Sequence, residues 1–246
     1  MKTNQQFKNE ALDALQGNWG KAILLTLLLF ITIGFFCGPV SYTGAQMQTY
    51  MQEHASSMQS AYKMTAMLQD PAFLSMYQQV NGASSLFTLA FILLIAPLSM
   101  VGYANAFRML LTAENNNLIG STTSYTFSNY WRKVWTLLLM NIMIGLWSLL
   151  LFIPGIIKSF SYAMTPYILV DNPELTASEA IHRSRMMMKG HKFDLFYLYL
   201  SFIGWFFLAI MTMGVGFLWL TPYIQTAEAS FYEEIKRDYE LNGGLD

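Results

Sequence analysis

Apolar residues in this chain gather into long uncharged tracts, separated by short aromatic and basic marks. Val134–Val170 is 37 residues long and carries one charge, Lys158. As a single helix at about 1.5 Å per residue it would span roughly 55 Å, against a hydrocarbon core of about 30 Å. The tract is therefore predicted to double back. Pro154-Gly155 near its centre is the expected break, because proline stops a helix and glycine accepts the turn. Leu195–Ala227 holds 33 uncharged residues and is expected to fold back in the same way at Gly214-Val215-Gly216. Two further apolar tracts, Ala22–Val40 and Leu86–Leu110, are separated by a polar stretch rich in Gln, Met, Ser and Tyr.

The pattern predicts an all-α, polytopic transmembrane helical bundle, one integral membrane domain over residues 1–246. Six spans, at about 22–40, 86–110, 134–153, 156–170, 195–213 and 215–231, form three hairpins, with an extracytoplasmic insertion at 41–85. Amphipathic helices are expected at the interface. In residues 4–16, Phe7, Ala11, Ala14 and Leu15 share a face, and Gly17 offers a stop. Within the insertion, Met47, Tyr50, Met51, His54, Met58 and Tyr62 follow three- and four-residue steps, and the stripe reads as a gap-filling apolar face. Thr176-Ala-Ser-Glu179 is a capping box for a third such helix, which carries Arg183, Arg185 and Lys189 towards its end and stops at Gly190. Trp19/Lys21, Trp131/Lys133 and His191/Phe193 mark the start of each hairpin, and Thr-Pro-Tyr recurs at 165–167 and 221–223. The chain thus reads as a weak internal repeat, a feature of many transporter folds.

Composition agrees. Charged residues make up 12% and hydrophobic ones 54%, against about 25% charged in a soluble domain. A net charge of −1 gives no basic face for nucleic acid. The charges are nevertheless sorted: of the 14 Lys and Arg, all but Lys63 and Lys158 fall on one side of a six-span arrangement. By the positive-inside rule that side, with both termini, is cytoplasmic. The single cysteine, Cys37, builds neither a disulfide nor a metal site. Glu10 and Asp13 stand where a signal peptide would be basic, so the first apolar tract is read as a retained span.

The segments NWGKAI (18–23), IPGIIKSFSYAMTPYIL (153–169), NPELTASEAI (172–181), MMKGHKFDLFYLYLSFIGW (187–205) and GFLWLTPYIQTAEASFYE (216–233) carry a resemblance. The chain resembles the bacterial integral-membrane family called domain of unknown function 975, most closely over 130–235. The resemblance implies a six-helix protein of the bacterial inner membrane, and it brings no assigned activity. A looser likeness links it to the membrane domain of glycerophosphodiester phosphodiesterases, whose catalytic domain is not in this sequence.

Polar residues within spans are the candidates for a site, because they are expensive there. They are Asn141, Thr165, Pro166, Thr221, Pro222, Gln225, Glu228 and Arg108. Pro166 and Pro222 could free carbonyls for a cation or polar solute, or simply kink their helices. Glu228 and Arg108 approach the same end of their spans, where an ion pair is expected. Arg183, Arg185 and Lys189 are candidates for lipid headgroups. There is no HExxH, no GxSxG and no Gly-rich phosphate loop, and His54, His182 and His191 are too scattered for one metal. The expectation is a non-catalytic membrane protein without cofactor. Its partners would be membrane lipids, another membrane protein or a second copy of itself. The alternative is a small-molecule or lipid transporter with a polar mid-membrane site.

Overall fold

The computed structural model describes residues 2–31, 96–112, 128–150 and 152–241, with a few single positions between them. Every regular element among the described residues is a helix, so the chain is all-α. In order they are α1 (Asn4–Leu15), α2 (Trp19–Ile31), α3 (Ala96–Leu111), α4 (Tyr130–Leu150), α5 (Phe152–Tyr162), α6 (Thr165–Asp171), α7 (Ala177–Met187), α8 (Lys192–Leu200), α9 (Ile203–Met211) and α10 (Phe217–Leu241). The chain divides into two compact units. One joins Met1–Leu27 to Ala96–Asp246, and the other is Leu28–Ile95. In the second unit only the end of α2 and single helical positions such as Thr49, Pro71 and Leu74 are described. The Met stripe of the insertion, most of the span expected at 22–40 and the first part of that at 86–110 lie outside the described residues.

Local sequence sets the helix ends. Thr3 caps α1 in a reciprocal box with Gln6, and Gly17 at φ 77° ends the turn that follows. Phe7, Ala11 and Leu15 then pack on α10 and α3, with the Phe7 and Phe231 rings 5.5 Å apart. Thr176 and Glu179 form the expected capping box of α7, the Thr176 amide donating to Glu179 at 2.8 Å. The buried face of α7 (Ala177, Ala180, Ile181, Ser184 and Met187) lies on α4 and α6. This helix is thus built into the bundle, and the Ser184 hydroxyl donates to the Ser161 carbonyl at 3.0 Å.

The hairpin expected over 134–170 forms, but α4 ends at Leu150 and α5 begins at Phe152, ahead of Pro154-Gly155. Pro154 sits in the first turn of α5, where a missing N–H costs nothing because helix starts leave those donors unbonded. Gly155 serves as a contact. A Cβ there would come within 2.7 Å of the Ser148 Cα, so α4 and α5 approach closer than any side chain allows. The second arm, expected as one span at 156–170, is divided at Ala163-Met164. Thr165 and Pro166 therefore open α6 instead of kinking a longer helix.

The last hairpin turns at 212–216, as its glycines predict, with Met213 at φ 54° and Gly214 at φ 89°. Gly216 repeats the close approach, because a Cβ would lie 2.7 Å from the Ala209 Cα. Before this turn, α8 and α9 together make a 20-residue helix, Lys192–Met211, that is long and apolar enough to cross a membrane. Among the described residues α1 and α2 meet the same measure only as a pair, bent by 97°. Lys8 of α1 reaches the junction of α8 and α9, its ammonium donating to the Ser201 carbonyl at 2.7 Å and lying 4.4 Å from the Phe202 ring.

These two glycine contacts give a direct test. Gly155→Ala and Gly216→Ala should each lower stability by about 1–3 kcal/mol, the usual cost of an added methyl in a packed contact. Gly145→Ala, at a position with open space around it, should be close to neutral. Thermal unfolding of the three variants in detergent checks the ranking.

Candidate functional site

Two helices end at the same place, beside a third. Arg108 stands in the last turn of α3, Asp171 closes α6, and α10 presents Tyr232 and Lys236 one turn apart, with Glu233 beside them. The Asp171 side chain is only 6% exposed, yet it meets two cations. Arg108 pairs with one carboxylate oxygen, and Lys236 reaches the other at 2.6 Å. The Tyr232 hydroxyl donates to that second oxygen, also at 2.6 Å. Arg108 further binds Glu233 at 2.6 Å through Nε. The ion pair expected between Arg108 and Glu228 is therefore replaced: Arg108 pairs with Asp171 and Glu233. Asp171 lies at the level of the Arg108 head, at the end of a helix in contact with α3.

The cluster is flanked by two smaller groups. Tyr125 donates to the Leu169 and Val170 carbonyls at 2.7 and 2.9 Å, closing the end of α6. Lys133 donates to the Tyr125 carbonyl and to Ser128, its ammonium 3.7 Å from the Tyr125 ring. Burial lowers the Lys133 ammonium to about 8 and raises the Tyr125 phenol to about 12. On the other side, Glu10 of α1 accepts from Lys2 at 3.0 Å and from Ser230. Burial alone would push the Glu10 carboxyl up, but these hydrogen bonds and the charges of Lys2 and Arg237 hold it below the ordinary carboxylate range.

The residues singled out in the sequence scatter. Asn141 is exposed on α4, whereas Thr165 is enclosed at the start of α6 and its hydroxyl makes no hydrogen bond. Pro166 is buried in the first turn of α6, and Pro222 is buried inside α10. Thr221 and Gln225 are half-buried on α10, and Glu228 is buried on the same helix. Of the three basic residues of α7, Arg183 is engaged within the fold, reaching Asn172 at 3.4 Å and the Tyr239 ring at 6.0 Å. Arg185 and Lys189 are exposed. Lys158 lies 4.6 Å from the Trp147 ring across its hairpin.

Asp171, Tyr232, Glu233 and Lys236 were not among the sequence candidates. The available signal was that Asp171 is the acidic residue ending the long apolar tract, on the side where Arg108 also ends a span. Beside α9 and α10 is an apolar cavity of about 390 Å³, lined by Trp19, Trp205, Leu208, Trp219, Leu220 and Tyr223 among others. Its Thr212 hydroxyl is already used, donating to Ala209 and accepting from the Gly216 amide, both at 2.8 Å. Among the described residues no group of three or more His, Cys, Asp or Glu could hold a metal ion.

Removing the Asp171 charge leaves two half-buried cations facing each other. Asp171→Asn should cost about 3–5 kcal/mol, as breaking a buried pair does. Lys236→Met should cost clearly less, because Arg108 remains to compensate the carboxylate. Urea or thermal unfolding of the purified protein gives the comparison.

No curated protein and no solved structure matches this chain. Residues 1–239 match the family model described as "Protein of unknown function (DUF975)", and the chain belongs to that family.

Proposed function

We propose that this is a six-span protein of the bacterial cytoplasmic membrane, with both termini in the cytosol. Its role is non-catalytic and is exercised through contacts with lipid or with another membrane protein. The observation that carries the reading is the outward apolar belt. Leu149 is 87% exposed, Ile153 70%, Met211 80% and Met213 96%, with Trp205, Phe206 and Phe207 also outside. Large apolar side chains exposed in this number are what a bilayer solvates.

Distances along the chain support the same placement. From the start of α5 at Phe152 to Asp171 the chain advances 19 residues, and from Met213 to Glu233 it advances 20. As helix this is about 30 Å, the thickness of a hydrocarbon core. Each hairpin thus runs from an exposed apolar tip to the ionic cluster, which suits the cytosolic headgroup level. The exposed Arg185 and Lys189 of α7 then face anionic lipid, while Arg183 serves the fold.

The test has two arms. A reporter active only outside the cytoplasm should work when inserted at Met213 and fail at the C-terminus; the reverse pattern sinks the orientation. Full-length Arg185→Gln/Lys189→Gln protein should retain less anionic lipid through purification than wild type, and equal retention removes the headgroup part.

A further inference from the structure

The apolar cavity beside α9 and α10 takes no part in the ionic cluster, and a lysine stands at its edge. Its volume of about 390 Å³ falls within the range of small-molecule sites, about 300–1,000 Å³. Trp19, Trp205 and Trp219 line it with Leu12, Leu220 and Tyr223, and its walls are almost wholly apolar. The Thr212 hydroxyl in the wall is already satisfied by Ala209 and Gly216. Such walls favour a hydrocarbon chain over a polar solute, which would lose its hydrogen bonds to water on entering.

The lysine is Lys8. It lies one turn before Leu12 on α1, so the two residues share a face. Its ammonium is 4.4 Å from the Phe202 ring, and that ring meets the Tyr223 ring edge-on at 5.0 Å. Lys8 thus borders the cavity through both Leu12 and Tyr223. An ammonium has three N–H donors. One goes to the Ser201 carbonyl at 2.7 Å, and among the described residues no Asp or Glu pairs with Lys8. Glu10, two residues on, is held by Lys2 and Ser230. A half-buried cation beside apolar rings, with donors to spare, is stabilised by an anion that accepts from it.

We propose that the cavity holds one acyl chain of an anionic phospholipid, whose phosphate accepts hydrogen bonds from Lys8. The chain fills the space among the three tryptophans. The headgroup supplies the negative charge that the fold does not bring to Lys8. A zwitterionic lipid with the same chains fits the cavity equally well but carries a cation of its own to the lysine. The site rests on the lipid-contact reading above, and it is separate from Arg185 and Lys189, which are exposed on α7.

Native mass spectrometry of the full-length protein, released from detergent after titration with phosphatidylglycerol or phosphatidylcholine of identical chains, tests this. Wild type should bind the first phosphatidylglycerol about tenfold more tightly than the first phosphatidylcholine, the scale of one charge-assisted hydrogen bond. Lys8→Gln should abolish that preference. Leu12→Phe/Leu208→Phe, which narrows the cavity, should weaken the first binding of either lipid. Glycerol phosphate, the headgroup without a chain, should not compete at equal concentration. Arg185→Gln/Lys189→Gln should keep the preference. Equal affinity for the two lipids, a preference that survives Lys8→Gln, or one lost in Arg185→Gln/Lys189→Gln overturns the proposal. So does competition by glycerol phosphate, which marks a free-phosphate site instead. If Lys8→Gln does not fold, Leu12→Phe/Leu208→Phe decides, and undiminished binding refutes the site. A reporter inactive at Met213 sinks the membrane placement, whereas absent lipid preference in a protein whose reporter works sinks this site alone.

Discussion

A carboxylate taken out of water is tolerated only where its charge is met, and in this bundle Asp171 is the place where that condition fixes the architecture. It closes α6, so its own helix directs partial negative charge at it, and the end of a helix is a poor place for an acid. Arg108 and Lys236, brought by α3 and α10, offset both effects. The ends of α3 and α6 are thereby held level with Tyr232 and Lys236 of α10, because moving any of them would leave a buried charge without its partner. The neighbouring Lys2, Glu10 and Ser230 contacts add α1 to the same level. Hydrophobic packing alone would let these helices slide. The charges set their register.

The opposite ends of the hairpins are held by shape instead. Ser148 meets Gly155, and Ala209 meets Gly216, both pairs seven residues apart across a turn. Small residues let two helix backbones touch, and dispersion rather than charge does the holding. The repeat read from Thr-Pro-Tyr is less regular. Thr165-Pro166 starts a helix, whereas Thr221-Pro222 lies inside one. The same tripeptide does different work because α5 has already ended at Tyr162, while α10 has only begun.

Much of this was legible in the sequence. Periodicity gave the apolar face of α1 and the capping box of α7, both set by local hydrogen bonds and three- and four-residue spacing. The folding back of both long tracts followed from length alone. The start of α5 ahead of Pro154 did not, because proline is neutral in the first turn of a helix and disruptive later, and only the neighbouring packing decides which applies. The partner of Arg108 was also hidden. Asp171 and Glu233 are distant from it in sequence, and both look like ordinary ends of polar segments until α3, α6 and α10 are placed side by side. Thr165 and Asn141, alike as polar residues in apolar tracts, part company for the same reason: helix rotation buries one and exposes the other.

The contrast between Asp171 and Glu228 follows from where α10 passes. Tyr232 and Lys236 are one and two turns beyond Glu228, so all three lie on one stripe of the helix, directed into the bundle. At Tyr232 and Lys236 the stripe meets the end of α6 and its acid. One turn earlier, at Glu228, no Lys, Arg or His among the described residues forms an ion pair with it. An uncharged residue at 228 would fill that position at no electrostatic cost, as Ala227 and Ala229 do on either side. A charged glutamate there requires compensation. Asp171 meets that requirement with fixed side chains and so serves as structure.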